Sequence, residues 1–217
     1  MKVGTDGVLL GAWVNVEGAG RILDAGAGTG LIAIMLAQRS QALVDAVEID
    51  EAAFSQAEEN IVACPWKERI RIHCDSLQHF VTTSSGLFDI VVSNPPYFSN
   101  SLKPPLKTRS LARHDERLSY ESLLFCSAQL LSAGGRLAVI IPANVADRFT
   151  ELAYLQGLFP SQLVRVRPSP DKDPVRCLAE FTKDKSIRCE EGSLVIRNRD
   201  SSSYTEDYKK LTKMFYL

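Results

Sequence analysis

"RILDAGAGTGLIAIMLAQR", Arg21 to Arg39, passes from an apolar run through alternating glycines into a helical pattern. Arg21–Gly26 has the character of a strand and Leu31–Arg39 that of a helix. The junction is therefore a strand–turn–helix unit, the opening module of a sheet covered by helices. Gly26, Gly28 and Gly30 fall at every second position behind Asp24. Glycines at such a turn allow positive φ and let a ligand approach the backbone. The spacing is not the Gly-x-Gly-x-x-Gly of a dinucleotide site, and no Lys-Ser/Thr follows to make a phosphate loop. A carboxylate ahead of the loop would also repel a pyrophosphate. Asp24 suits a cofactor with a cationic end.

The same rhythm continues outward. Leu43–Ile49 is a second strand and Glu51–Ala63 a second helix, followed by strands at Arg69–Cys74 and Phe88–Ser93. Tyr120–Leu131 is helical and expected to stop at Gly134-Gly135, before a fifth strand at Arg136–Ile141 ended by Pro142. A helix is expected in "ANVADRFTELAYLQG". "QLVRVRPS" and "VRCLAEFTK" then form two consecutive strands joined by a turn-rich link, so one of them should be antiparallel. The tail, "SSSYTEDYKKLTKMFYL", is expected to be a helix capped by Ser203 or Thr205. The class is α/β, with a mostly parallel sheet.

Composition sets the frame. The 217 residues, 45% hydrophobic and 24% charged, suit one globular domain. No apolar run approaches the roughly 18 residues of a membrane span, and no secretory leader is expected. Cys64, Cys74, Cys126, Cys177 and Cys189 are odd in number and form no Cys-x-x-Cys pair, which points away from a disulfide framework or a zinc site and toward the cytoplasm. No metal is expected, and the chain is expected to be a monomer. The charge is unevenly spread. Residues 1–100 carry 6 basic and 12 acidic side chains, a balance of −6, whereas 101–217 carry 19 and 14, a balance of +5. From Ser101 to Arg117, Lys103, Lys107, Arg109, Arg113 and Arg117 face only Asp115 and Glu116. Such a segment suits either a polyanion or a solvated loop.

Three acids fall at three successive strand ends: Asp24, Glu48 and Asp75. That is the ligand-binding edge of an α/β sheet, where an acid after the second strand can hold both ribose hydroxyls. Asp75 can accept from an exocyclic amine. With the glycines, the three describe an adenosine bearing an amino acid. "DAGAGTG", "VEID", "CDS" and "NPPY" resemble the successive motifs of class I S-adenosylmethionine-dependent methyltransferases, over about residues 20–142. The resemblance implies a Rossmann-like, seven-stranded sheet whose last strand is antiparallel. It also implies S-adenosyl-L-methionine as cofactor, with Glu48 on its ribose, Asp75 at its adenine, Asp24, Gly26, Gly28 and Gly30 lining the methionine end, and Ser76 and Asn94 among its further contacts.

"NPPY", Asn94 to Tyr97, is similar to the motif of methyltransferases acting on a nitrogen conjugated to a π system. Such a nitrogen is a poor nucleophile because its lone pair is delocalised. The Asn94 side-chain oxygen and the Pro95 carbonyl can accept its two N–H protons and aim the lone pair at a sulfonium methyl. Tyr97 can stack on the planar group, an interaction worth roughly 1–3 kcal/mol for a base. Phe98 follows as a second aromatic contact. Asn94, Pro95 and Tyr97 are thus the candidate catalytic residues, acting by orientation and electrostatics.

The clamp admits adenine in nucleic acid, a release-factor glutamine or a guanine amine. The opening segment "MKVGTDGVLLGAWV" favours the first, because it resembles the start of bacterial methyltransferases that modify adenine N6 at position 37 of a valine tRNA. Lys2, Gly4, Thr5 and Asp6 match, and by that resemblance they cover the cofactor's methionine end. The tail from Ser193 resembles the same family. That family carries further residues before the stretch matching Met1, so an N-terminally shortened or partly ordered form is expected. Residues 1–19 would be the cofactor-covering segment, 20–142 the cofactor-binding core, and 143–217 the closing strands and helix of a single domain. The expected partner is tRNA, met by Lys107, Arg109, Arg113 and His114 in the basic segment. His73 and His79 are expected to be structural. A cofactor-binding scaffold without activity is the alternative, and the intact "NPPY" speaks against it.

Overall fold

The structure is a computed structural model and describes residues 4–96, 118–200 and 203–215. Its strands are β1 (Arg21–Ala25), β2 (Leu43–Glu48), β3 (Ile70–Cys74), β4 (Phe88–Ser93), β5 (Leu131–Pro142), β6 (Phe159–Arg167), β7 (Arg176–Thr182) and β8 (Glu190–Val195). Its helices are α1 (Thr5–Trp13), α2 (Leu31–Arg39), α3 (Glu51–Ala63), α4 (Leu77–Thr83), α5 (Tyr120–Leu130), α6 (Ala146–Leu155) and α7 (Glu206–Thr212). The strands form one sheet in the order β3-β2-β1-β4-β5-β7-β6-β8.

Alternation along each strand divides the core between the two faces. Ile90, Val92, Ala138, Ile140 and Leu178 join the cluster that holds Leu9, Leu10, Leu36, Ile61 and Tyr208 of α1, α2, α3 and α7. Their neighbours Val91, Leu137, Val139, Ile141 and Ala179 join the cluster with Phe80, Leu123, Leu124 and Phe149 of α4, α5 and α6. Strands apolar on both faces are what a sheet sandwiched by helices requires. Among the described residues no helix is long and apolar enough to cross a membrane.

β7 is antiparallel to both β5 and β6, as the two consecutive strands led us to expect. The seven-strand expectation needs one correction. β8 adds an eighth strand, parallel to β6, so the last strand in sequence is not the antiparallel one. Only Leu194 is buried along β8. A charged, exposed edge strand protects the sheet from further pairing but leaves no alternating apolar pattern to read. The expected stop of α5 at Gly134-Gly135 also differs. The helix ends at Leu130, and the glycine pair lies in a register shift where β5 enters the sheet beside β4. A Cβ on Gly135 would stand 2.8 Å from the Phe88 carbonyl oxygen, so only glycine permits that approach.

The order reverses direction between β1 and β4, which makes the crevice beyond their C-terminal ends the topological switch point of the sheet. Ligands bind at this position in open α/β sheets, and the glycine loop and Asn94–Pro96 both emerge there.

Candidate active site

The glycine loop is built by backbone strain that its residues tolerate. Gly26, Gly28 and Gly30 have φ of 75°, 57° and 76°, all in the left-handed region. The Gly26 and Ala27 amides donate to the Val47 carbonyl at 2.9 and 3.0 Å, tying the loop to the end of β2. Gly30 then caps α2, and a Cβ there would stand 3.3 Å from the Ala57 side chain.

Asp24 is fully buried beneath the loop. Its Oδ2 accepts from the Ala33 amide at 3.0 Å, near the start of α2. Its Oδ1 has no hydrogen-bond partner among the described residues. Burial, reinforced by the nearby Glu48 charge against the pull of the Ala33 amide, pushes its pKa up to about 7. A buried acceptor without a donor is costly, so this atom fits a ligand that brings a cationic donor.

Glu48 is half-buried at the end of β2, with both oxygens oriented. Oε2 accepts from Gly28 N at 2.7 Å, and Oε1 accepts from Asp50 N at 2.9 Å. Each oxygen keeps a further lone pair for a hydroxyl. Asp75 follows β3, and its amide donates to the Glu48 carbonyl at 3.0 Å. Its Oδ1 accepts from Ser76 N at 2.7 Å, and its Oδ2 lies 2.6 Å from His79 Nδ1. His79, expected to be structural, therefore orients a site acid. The Ser76 hydroxyl caps α4 by accepting from His79 N. His73 is structural, its Nε2 lying 2.9 Å from Asp45. The three acids thus stand along the C-terminal ends of neighbouring strands, as their spacing suggests.

On the other side of the crevice, buried Ser93 closes β4, and its hydroxyl donates to the Ala25 carbonyl at 2.7 Å. This contact locks the start of "NPPY" to the start of the glycine loop. Asn94 is half-buried, Pro95 buried and Pro96 exposed. Leu118 returns to the same place, since a Cβ on Gly26 would meet its side chain at 3.5 Å. Gly4 precedes α1, and Thr5 and Asp6 form its first turn; the Asp6 carboxylate pairs with Arg176. Lys2, Tyr97, Phe98, Lys107, Arg109, Arg113 and His114 lie outside the described residues.

A model of the methyltransferase small domain matches residues 4–159. Over 218 residues the chain is 48% identical to the tRNA1(Val) (adenine(37)-N6)-methyltransferase of Bacteroides fragilis, a match spanning all of this chain and 91% of that protein. The chain belongs to this family. The protein of the same name from Escherichia coli O157:H7 is 41% identical over 219 residues, covering all of this chain and 89% of that one. Among solved structures, Atu636 of Agrobacterium tumefaciens, described as a predicted O-methyltransferase, superposes with a TM-score of 0.77 at 22% identity, over 96% of each chain. That likeness establishes the Rossmann-like methyltransferase fold. Sequence reading missed three residues at the site: Ser93, Arg176 and the orienting role of His79. A serine directly before Asn94 and a histidine four positions after Asp75 were local signals; Arg176 gave none.

Proposed function

We propose that this enzyme transfers the methyl group of S-adenosylmethionine to N6 of adenine 37 in tRNA1(Val). Membership of the family supports the substrate. The observation that carries the chemistry is the Ser93 to Ala25 hydrogen bond, which fixes the Asn94-Pro95 segment against the glycine loop at the switch point.

The residues fit the cofactor. The Asp24 Oδ1 is a buried acceptor without a partner among the described residues, suited to the amino group of the methionine end. Glu48, held by two backbone amides, offers both oxygens to the ribose hydroxyls. Asp75, fixed by Ser76 N and His79, faces the adenine amine. When bound, S-adenosylmethionine supplies a methyl carbon on a sulfonium sulfur.

Asn94 Oδ1 and the Pro95 carbonyl accept the two N6 hydrogens of the target adenine. Holding both protons draws the nitrogen toward tetrahedral geometry and directs its lone pair at the methyl carbon. The N–C bond forms as the S–C bond breaks, and sulfur keeps the electron pair. The nitrogen then loses a proton to water, so no early base is needed. Catalysis is orientation and preorganised electrostatics. Tyr97 and Phe98 stack against the base, and the basic segment with Lys107, Arg109, Arg113 and His114 meets the RNA. The described groups, Asp24, Glu48, Asp75, Asn94 and Pro95, come from one sheet edge of one chain, which supports a monomer, and a tRNA substrate supports action in the cytoplasm.

Labelled S-adenosylmethionine supplied in parallel with unmodified tRNA and with release factor tests this reading. We expect label in tRNA as N6-methyladenosine; label confined to a protein glutamine would overturn the substrate.

A further inference from the structure

α1 is a helix with little reason to form alone. Its sequence, TDGVLLGAW, carries two internal glycines, and among the described residues no side chain caps its start at Gly4. Each glycine costs about 1 kcal/mol relative to alanine in a helix interior. The glycines serve packing instead. A Cβ on Gly7 would lie 3.2 Å from Leu31, and one on Gly11 would lie 2.8 Å from Met35 Sδ. α1 therefore runs alongside α2 in the same direction, its first turn level with Leu31 at the end of the glycine loop. At the other end, Arg39 Nη1 donates to the Gly11 and Val14 carbonyls at 2.6 and 2.8 Å, closing the C-terminus.

The first turn is held by a second arginine from far along the chain. Arg176 Nε donates to Asp6 Oδ2 at 2.9 Å, with the two side chains only 27% and 22% exposed. Arg176 opens β7 and lies opposite Pro142, three residues beyond Val139, the β5 partner of Ser93. It is thus level with the Asn94–Pro96 segment along the strand axis. β7 is two strands from β4, roughly 10 Å at the usual spacing of about 4.8 Å. The Thr5–Gly7 turn therefore sits between the start of α2, where Leu31 meets Gly7, and the start of β7, from which Arg176 reaches Asp6.

We propose that the Asp6–Arg176 pair is an ionic strap that holds the first turn of α1 across the rim of the site, and that Arg176 is a positioning residue for cofactor binding. The second half of this rests on the methyltransferase reading. Arg176 touches no reacting group in this account; it acts through Asp6 and the turn that Asp6 begins. A neutral side chain at either position releases the turn, and a pocket wall becomes mobile while the acids and glycines stay in place.

Hydrogen exchange on the cofactor-free protein tests the strap without any reaction. In Arg176→Gln, the amides of Val8 to Leu10, the first bonded within α1, should exchange at least tenfold faster, while those of β1 and β4 keep the wild-type rate. Asp6→Asn removes the pair from the other side and should give the same pattern, which guards against a folding defect peculiar to one variant. Calorimetry with S-adenosylhomocysteine should show about tenfold weaker binding for Arg176→Gln, largely restored in Arg176→Lys, with tRNA affinity unchanged. Unaltered α1 exchange in both neutral variants overturns the strap. Faster exchange with unaltered S-adenosylhomocysteine affinity overturns the positioning role, and a wild-type protein that does not bind this ligand overturns the methyltransferase reading instead.

Discussion

At the ends of β1, β2 and β3, carboxylates are fixed by nearby backbone amides: Asp24 by Ala33, Glu48 by Gly28 and Asp50, Asp75 by Ser76. Beyond β4 and β7 the construction differs. There the chain presents prolines, a half-buried amide and an ion pair whose partners lie 170 positions apart. The first region is held by contacts within one βα unit or between two consecutive ones. The second depends on elements brought together only by the finished sheet. A cofactor of fixed shape suits the first kind, and a flipped or splayed base arriving from a large RNA suits the second. The Ser93 to Ala25 hydrogen bond ties one to the other.

Substitutions on the two sides should separate along this line. In the proposed clamp, Asn94→Ala removes one of the two acceptors for the substrate amine while leaving the cofactor acids intact. Turnover should fall on the order of 10²–10³-fold, with S-adenosylhomocysteine affinity lowered far less by calorimetry. Glu48→Ala acts on the other side. Loss of charge-assisted bonds worth about 1.5–3 kcal/mol each should weaken that same affinity by about 10²-fold, and tRNA binding should be unaffected. A variant that moved both quantities together would erase the distinction.

Asp24 sharpens it through pH. Its folded pKa, pushed up to about 7, lies above the ordinary carboxylate value of 3.8 because burial disfavours the charge. The folded state then holds a proton that the unfolded state has lost, so cofactor-free stability should be full below about pH 4. It should decline as pH rises toward 7, by up to about 1.4 kcal/mol per pH unit. Denaturation across pH 4–8 should show this slope, and Asp24→Asn should flatten it. Cofactor affinity should move the opposite way, rising through pH 7 as the carboxylate ionises to meet the cationic amine. The smallest effect belongs to the junction. Ser93→Ala leaves the Ala25 carbonyl without its hydroxyl donor, and the lost hydrogen bond should cost about 1 kcal/mol by chemical denaturation, with turnover falling more than cofactor affinity.

Much of the first region was legible in the sequence, because the signals there are local. The strand before the glycines, the helix Leu31–Arg39 after them and the acids closing β2 and β3 all fell where the periodicity put them. Thr205 caps α7 by accepting from Tyr208 N, as its position suggested. The second region was only partly legible. "NPPY" announced a clamp, but α1 has glycines where a helix would have alanine, and only its fit against α2 explains them. α4 is seven residues long, and its Ser76 cap was the one available cue. β8 begins with two glutamates and a glycine and buries a single leucine, so edge position rather than pattern makes it a strand. Arg176 could not have been matched with Asp6 from sequence, because nothing local relates the two.

The central claim is that this edge methylates one exocyclic amine, N6 of adenine 37. The direct measurement uses two unmodified tRNA1(Val) transcripts, one with adenosine and one with guanosine at position 37, each incubated with labelled S-adenosylmethionine and digested for nucleoside mass spectrometry. The account predicts N6-methyladenosine in the fragment containing position 37 of the first transcript and no label in the second. Equal labelling of both, or a methylated guanosine from the second, would contradict it.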